Sequence, residues 1–206
     1  MALLVKKFGG TSVGDIKKIK NIASSICQSK EAGNEIVVVV SAMGQTTDDL
    51  NCLAESISKN PNRRELDMLL STGEQVTIAL LSMALNEYGI PAISMTGSQV
   101  GIITESIHGK ARILDIKTER IQNYINQGFV VVVAGFQGTT LSHTGSMEIT
   151  TLGRGGSDTS AVALSTALGA ETCEIYTDVP GVLTTDPRIV PNAKLLDEIS
   201  CEEMLE

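Results

Sequence analysis

Residues 150–161 read TTLGRGGSDTSA: three glycines and one arginine run into a Ser157–Asp158–Thr159–Ser160 segment. Beyond them Ala161, Val162, Leu164, Ala167 and Leu168 recur at helical spacing, and Gly169 stands at the C-cap position. The stretch predicts a glycine-rich loop feeding straight into a helix N-terminus. Such a junction leaves backbone N–H groups unpaired at the positive end of the helix dipole. Both features attract phosphate or carboxylate. Arg154 adds a planar fork suited to either anion. Asp158 is out of place at an anion site unless a cation lies opposite it. An ordinary capped helix after a flexible loop, with Asp158 or Ser157 as N-cap and Arg154 on the surface, is the competing reading, and the rest of the chain has to decide.

Working outward, residues 2–8 (ALLVKKF) read as a short buried strand, followed by an amphipathic helix over about residues 15–30 with Ile16, Ile19, Ile22, Ala23 and Ile26 on one face. Residues 35–41 (EIVVVVS) and 129–134 (FVVVVA) are continuous apolar runs, as central parallel strands covered on both faces should be. A polar loop at 44–49 leads into a helix, and Thr46 or Thr47 as its N-cap is the plainer alternative to a place in a site. A long helical region covers 64–87, broken at Ser71–Thr72–Gly73. Residues 91–95 and, more weakly, 112–116 read as strands, 118–126 as a helix, and 171–177 (ETCEIYT) as the last strand. Strands alternating with helices predict an α/β fold with an open, mostly parallel sheet and helices on both faces. In such sheets ligands gather at the carboxyl ends of the strands, where the polar and glycine-rich clusters of this chain are expected.

A chain of 206 residues with 42% apolar residues is long enough for a buried core. Its net charge of −8, 3% aromatics and absence of Trp exclude a nucleic-acid or anionic-membrane binder. Four scattered cysteines and two histidines offer no metal-ligand spacing. No signal peptide precedes Leu3, and no apolar run approaches the about 20 residues of a membrane span. The setting expected is the reduced cytoplasm. Ser200–Cys201–Glu202–Glu203 has the form of a capping box before Met204–Leu205. A helix is announced and the chain stops at Glu206, so the expectation is a sequence cut short of its natural end.

Three further clusters carry chemistry. In Lys7–Phe8–Gly9–Gly10–Thr11–Ser12 a strand-end lysine precedes two glycines and two hydroxyls. It is neither a P-loop nor a GxGxxG, yet Gly9, Gly10 and Ser12 suit a phosphate cradle with Lys7 neutralising charge. Ser41 and Thr47 place hydroxyls just after the second buried strand. Glu74, in STGEQ, is a dipole partner at a helix start or, inside a pocket, a partner for an ammonium group. His108, His143 and the cysteines read as ordinary loop and core residues, and Lys17, Lys18 and Lys20 as a solvated helix face.

KFGGTSV at 7–13, VSAMGQTTD at 40–48, STGEQ at 71–75, TGSQVGI at 96–102, AGFQG at 134–138, TTLGRGGSDTSA and YTDVPGVLTTDPRIVPNAK at 176–194 occur in that order. Together they resemble the aspartate kinases of the amino-acid kinase family. The resemblance implies a three-layer αβα sandwich around an eight-stranded, mainly parallel sheet, and ATP-dependent phosphorylation of the β-carboxylate of L-aspartate. It implies that Lys7 binds the transferring phosphates and Asp158 orients Lys7. Arg154 would clamp the α-carboxylate and Glu74 the α-ammonium. Ser41, Thr47, Phe136 and Ser157 would line the substrate pocket, while Thr177, Asp178, Leu183 and Arg188 would hold the nucleotide. Mg²⁺ would ride on the ATP phosphates.

Pro180 and Leu183 replace an acid and a tyrosine common in relatives, which alters the adenine contacts. Relatives continue past the equivalent of Glu206 into a further kinase segment and paired regulatory ACT domains. The expectation is therefore a C-terminally incomplete catalytic domain over 1–206, without ACT domains, and a homo-oligomer for the full-length protein. Glutamate, acetylglutamate, carbamate and uridylate kinases share the fold, but Arg154 with Glu74 favours an α-amino acid. A module that binds ATP or aspartate without turnover is the alternative from another class.

Overall fold

The computed structural model describes residues 1–141, 147–179, 181–200 and 202. His143, Pro180, Cys201 and Glu203 of the expected capping box, with Met204 and Leu205, lie outside the described residues. Two compact units are present, Met1–Tyr176 and Thr177–Glu206.

In the first unit, β1 (Leu3–Phe8), β2 (Glu35–Val40), β3 (Ala92–Met95), β6 (Val130–Ala134) and β9 (Thr172–Tyr176) form one sheet. Its order is β3-β6-β2-β1-β9 and each pairing is parallel. Strand alternation sorts the valines onto two faces. Ile36, Val38, Val40, Val130 and Val132 pack under α1 (Ile16–Glu31) and α3 (Arg63–Glu87) with Ile19, Ile26, Ile78, Leu81 and Leu85. Val37, Val39, Val131 and Val133 pack under α4 (Glu119–Asn126) and α5 (Gly156–Leu168) with Ile121, Ile125, Ala161 and Leu164. This is the three-layer αβα arrangement expected. Among the described residues the main sheet has five strands, not the eight implied by the resemblance.

A second sheet is absent from the sequence-based expectation. β4 (Ile102–Thr104), β5 (Ile113–Ile116), β7 (Gln137–Thr140) and β8 (Ile149–Thr151) pair in the order β5-β4-β7-β8, with antiparallel pairs at both edges. Three of its strands are only three or four residues long (Ile-Ile-Thr, Gln-Gly-Thr-Thr and Ile-Thr-Thr), too short to show a period.

The predicted break at Ser71–Gly73 does not exist: α3 runs unbroken for 25 residues. Gly73 serves close approach instead, because a Cβ there would lie 2.9 Å from Ala42 Cβ at the exit of β2. By length and composition α3 is also apolar enough to cross a membrane, contrary to the expectation that no run is. It is half buried against protein and carries the buried Asp67 and Glu74, as a core helix does. α2 (Thr46–Ile57) has Gln45 at its N-cap with no side-chain bond, while Thr46 Oγ1 donates to Met43 O at 2.6 Å, so neither Thr46 nor Thr47 is the cap.

The described residues of the Thr177–Glu206 unit are irregular. Leu183 and Leu195 form an antiparallel bridge, and Thr184 N donates to Lys194 O at 2.9 Å.

Gly73→Ala should destabilise the fold by about 1–3 kcal/mol through overpacking, despite the higher helix propensity of Ala. Urea titration checks this; a variant as stable as the parent would mean the α3–β2 approach has slack.

Candidate active site

The carboxyl ends of β1, β2 and β6 emerge together, because Ser41 N donates to Phe8 O at 3.2 Å and Gly135 N to Val40 O at 3.0 Å. Gly44 N donates to Gly10 O at 3.0 Å, so the loops leaving β1 and β2 lie against one another. The N-terminus of α5 closes the site from the other side. A cavity of about 300 Å³ results, lined by Lys7, Gly9, Gly10, Ser41, Thr47, Glu74, Phe136, Arg154, Ser157 and Asp158, together with Gly153, Gly155 and Gly156. Ser12 lies in the turn after Gly10 and does not line it. Thr177, Asp178, Leu183 and Arg188 belong to the other unit.

Alternation along β1 separates its two lysines. Lys7 faces the cavity, with Nζ 2.7 Å from Asp158 Oδ1, an ion pair whose angle lies outside hydrogen-bond geometry. Lys6 pairs with Glu174 at 2.9 Å instead. Burial alone would lower the Lys6 pKa, but Glu174 and Tyr176 more than offset it and raise it.

The glycine-rich loop and α5 form the junction read from the sequence, and neither Asp158 nor Ser157 is the cap that the competing reading required. The N-cap is Gly155 in the left-handed region, φ +73°, and no side chain caps the helix. Asp158 therefore sits inside the first turn, where it meets Lys7, and the helix start keeps its attraction for anions. Phe136 also has positive φ, at +67°, a strained state for an aromatic residue. It is held there because its N–H donates to Ser160 Oγ at 3.1 Å and its carbonyl accepts from Leu152 N at 2.9 Å.

Glu74 does not follow a strand and does not begin a helix. It lies in the middle of α3, 2% exposed, and Oε1 accepts from the Ala42 amide at 3.0 Å. Oε2 has no hydrogen-bond partner among the described residues. Burial pushes its pKa up to about 7, against the opposing effect of the backbone donors. Arg154 is exposed on its loop and has no ion-pair partner among the described residues. One cavity thus holds a buried carboxylate and a guanidinium, neither neutralised from within, beside a lysine and an uncapped helix start.

In the second unit Thr177 Oγ1 donates to Asp178 Oδ1 at 3.2 Å, and Arg188 pairs with Asp186 at 2.7 Å. Hydrogen bonds from Arg188 hold the Asp186 carboxyl below its ordinary range.

Sequence reasoning missed Asp67, a second acid on the buried face of α3. It stands seven residues before Glu74, a helical spacing on an apolar face that could have exposed it. His108 is in a loop as expected, but it is bound to that acid, 2.8 Å from Nδ1 to Asp67 Oδ2.

Residues 2–206 match the model of the amino acid kinase family. The chain is 62% identical over its whole length to an aspartokinase of Bacillus sp. strain MGA3, covering 49% of that protein. The crystal structure of aspartate kinase from Synechocystis superposes with a TM-score of 0.84 at 61% identity, over 99% of this chain and 33% of that one. E. coli aspartokinase III, solved in complex with aspartate and ADP, gives 0.79 at 28% identity, over 95% of this chain and 53% of that one. The chain spans about half the length of the curated relatives it matches.

Glu74 should impose a pH dependence on stability. Below about pH 4.5 both folded and unfolded states hold its proton; between about 4.5 and about 7 only the folded state does. Unliganded stability should therefore fall as pH rises through that window, by about 3 kcal/mol from this group. In urea titrations Glu74→Gln should remove that decline relative to the parent. Parallel stability curves for the two proteins would show that Glu74 ionises freely.

Proposed function

The chain belongs to the amino acid kinase family, and on that premise we propose that it is the catalytic domain of an aspartate kinase, transferring the γ-phosphoryl group of ATP to the β-carboxylate of L-aspartate. The observation that carries the proposal is the pair of unneutralised charges in one cavity, the buried Glu74 and the exposed Arg154. An α-amino acid supplies their complements: its ammonium for Glu74, its carboxylate for Arg154 in a bidentate fork. The identity of about 60% with aspartokinases over the whole chain favours aspartate among the amino acids.

With those ends held, the side-chain carboxylate is left to face Lys7, Ser41, Thr47 and the N-terminus of α5. The β-carboxylate is already ionised at neutral pH, so no general base is needed. One of its oxygens attacks the γ-phosphorus, the bond from phosphorus to the β–γ bridging oxygen breaks, and ADP leaves with that electron pair. The product is an acyl phosphate. Lys7 faces the charge that spreads over the transferring oxygens, and Asp158, 2.7 Å from its Nζ, aims it. Gly9, Gly10 and the amides of α5 add dipoles that need no reorganisation. Thr177, Asp178, Leu183 and Arg188 are proposed to bind the nucleotide.

Among the described residues no group of three acids, histidines or cysteines is placed to hold a metal, and Asp158 is committed to Lys7. The donors present fit Mg²⁺ held mainly by nucleotide phosphates, where it would shield their charge. The setting proposed is cytoplasmic, with a homo-oligomer in the full-length protein.

The test is phosphoryl transfer with ATP and Mg²⁺, trapping acyl phosphate with hydroxylamine. Aspartate-dependent hydroxamate should form, and should fall by a factor on the order of 10³ or more in Lys7→Ala while aspartate binding survives. Glutamate preferred over aspartate would overturn the substrate; an active Lys7→Ala would overturn the mechanism.

A further inference from the structure

Asp67 takes no part in the chemistry above, yet it is 1% exposed and a centre of hydrogen bonds. It lies on α3 two turns before Glu74, so both side chains leave the same face of one helix. Oδ1 accepts from Thr151 Oγ1 at 2.7 Å and from the Gly109 amide at 3.1 Å. Oδ2 accepts from the same amide at 3.1 Å and lies 2.8 Å from His108 Nδ1. The far nitrogen of His108 is 3.4 Å from Glu148 Oε2. A single carboxylate thus gathers the end of β8 and the His108–Gly109 turn onto α3.

Both tethered segments bear on the arginine loop. Thr151 is the last residue of β8 and Arg154 stands three residues on. Ala111 N donates to Thr151 O at 2.9 Å, which fastens the turn to β8 a second time. The turn also underlies Gly153, which has φ +79°, and a Cβ on that residue would lie 3.3 Å from Gly109 O and 3.6 Å from Lys110 Cα. Arg154 itself has no ion-pair partner among the described residues, so its position is inherited from this support.

We propose that Asp67 and His108 are positioning residues: they hold the Gly153–Arg154 loop against α3 and so set the spacing of Arg154 from Glu74, the two charges that must grip one amino acid. The part concerning substrate rests on the proposed function; the tie between α3 and the loop does not.

Thr151→Val removes one bond to Asp67 at nearly constant volume, and His108→Ala removes another from a partly exposed site, so the test does not depend on Asp67 itself being replaceable. Both are made in the full-length protein, and amide hydrogen exchange at 153–157 is measured beside KM for aspartate and for ATP. Exchange at 153–157 should rise roughly tenfold with β1 and β2 unchanged. KM for aspartate should rise roughly tenfold with KM for ATP within about twofold of the parent. His108→Asn, which keeps a donor toward Asp67, should restore both.

Unchanged exchange at 153–157 would overturn the proposal whatever the activity. Faster exchange with KM for aspartate unaltered, or with both KM values raised alike, would reduce the cluster to general stability and also overturn it. A parent protein that fails to use aspartate, with exchange responding as described, would sink the proposed substrate and support the tie.

Discussion

The site depends on a carboxylate placed where an isolated carboxylate should not be. Glu74 leaves the middle of α3 beneath the exit of β2, with one backbone amide as partner of Oε1 and a buried Oε2 that has no hydrogen-bond partner among the described residues. Burial of that kind opposes ionisation, and the shift of its pKa to about 7 records how strongly. Gly73, with no side chain of its own, is what lets the helix come that close. A cationic ligand relieves the strain, since an ammonium beside Oε2 favours the ionised form that burial penalises.

The opposite charge is delivered differently. Lys7 and the amides around it come from strand ends and a helix start, which a parallel sheet brings to one edge whatever the loops do. Strict alternation along β1 decides which of two adjacent lysines serves the cavity, and Glu174 occupies the other. Arg154, by contrast, sits on an exposed loop whose glycines allow it to turn but cannot hold it. The firm elements therefore carry the groups proposed for phosphate, and the adjustable one carries a group proposed for the amino acid.

Much of this is legible in the sequence, for reasons that differ by element. EIVVVV and FVVVVA show as buried strands because both faces are covered, and the sheet follows from them. Lys7, Gly9, Gly10, Ser41, Arg154, Ser157 and Asp158 are visible as polar or glycine residues at strand ends and around the start of α5. Their roles come from the resemblance, not from those patterns. Glu74 is legible as a residue but not as a place: STG looks like a helix break, and only the packing against Ala42 shows why a glycine belongs inside α3. β4, β7 and β8 are hidden because strands of three or four residues carry no period, and with them goes the support beneath Arg154. Asp67 fails to register because a lone acid in a helix reads as solvated until its partners, 41 to 84 residues away, are known.

That omission has a physical lesson for the site as a whole. Asp67, Ser71 and Glu74 lie along one face of α3, and each binds a different segment: Asp67 the end of β8, Ser71 through its carbonyl the Gln137 side chain at 3.0 Å, and Glu74 the exit of β2. The small second sheet is thus registered to the large one through the same helix that carries the buried carboxylate. If α3 shifted along its axis, the Arg154 loop and Glu74 would move with it, and their separation would survive a displacement of the helix as a whole. Loss of a single tether would not be absorbed in that way. A grip of two opposite charges on one small zwitterion needs a fixed spacing more than a fixed position, and one helix face bonded to both sides is the economical way to hold it.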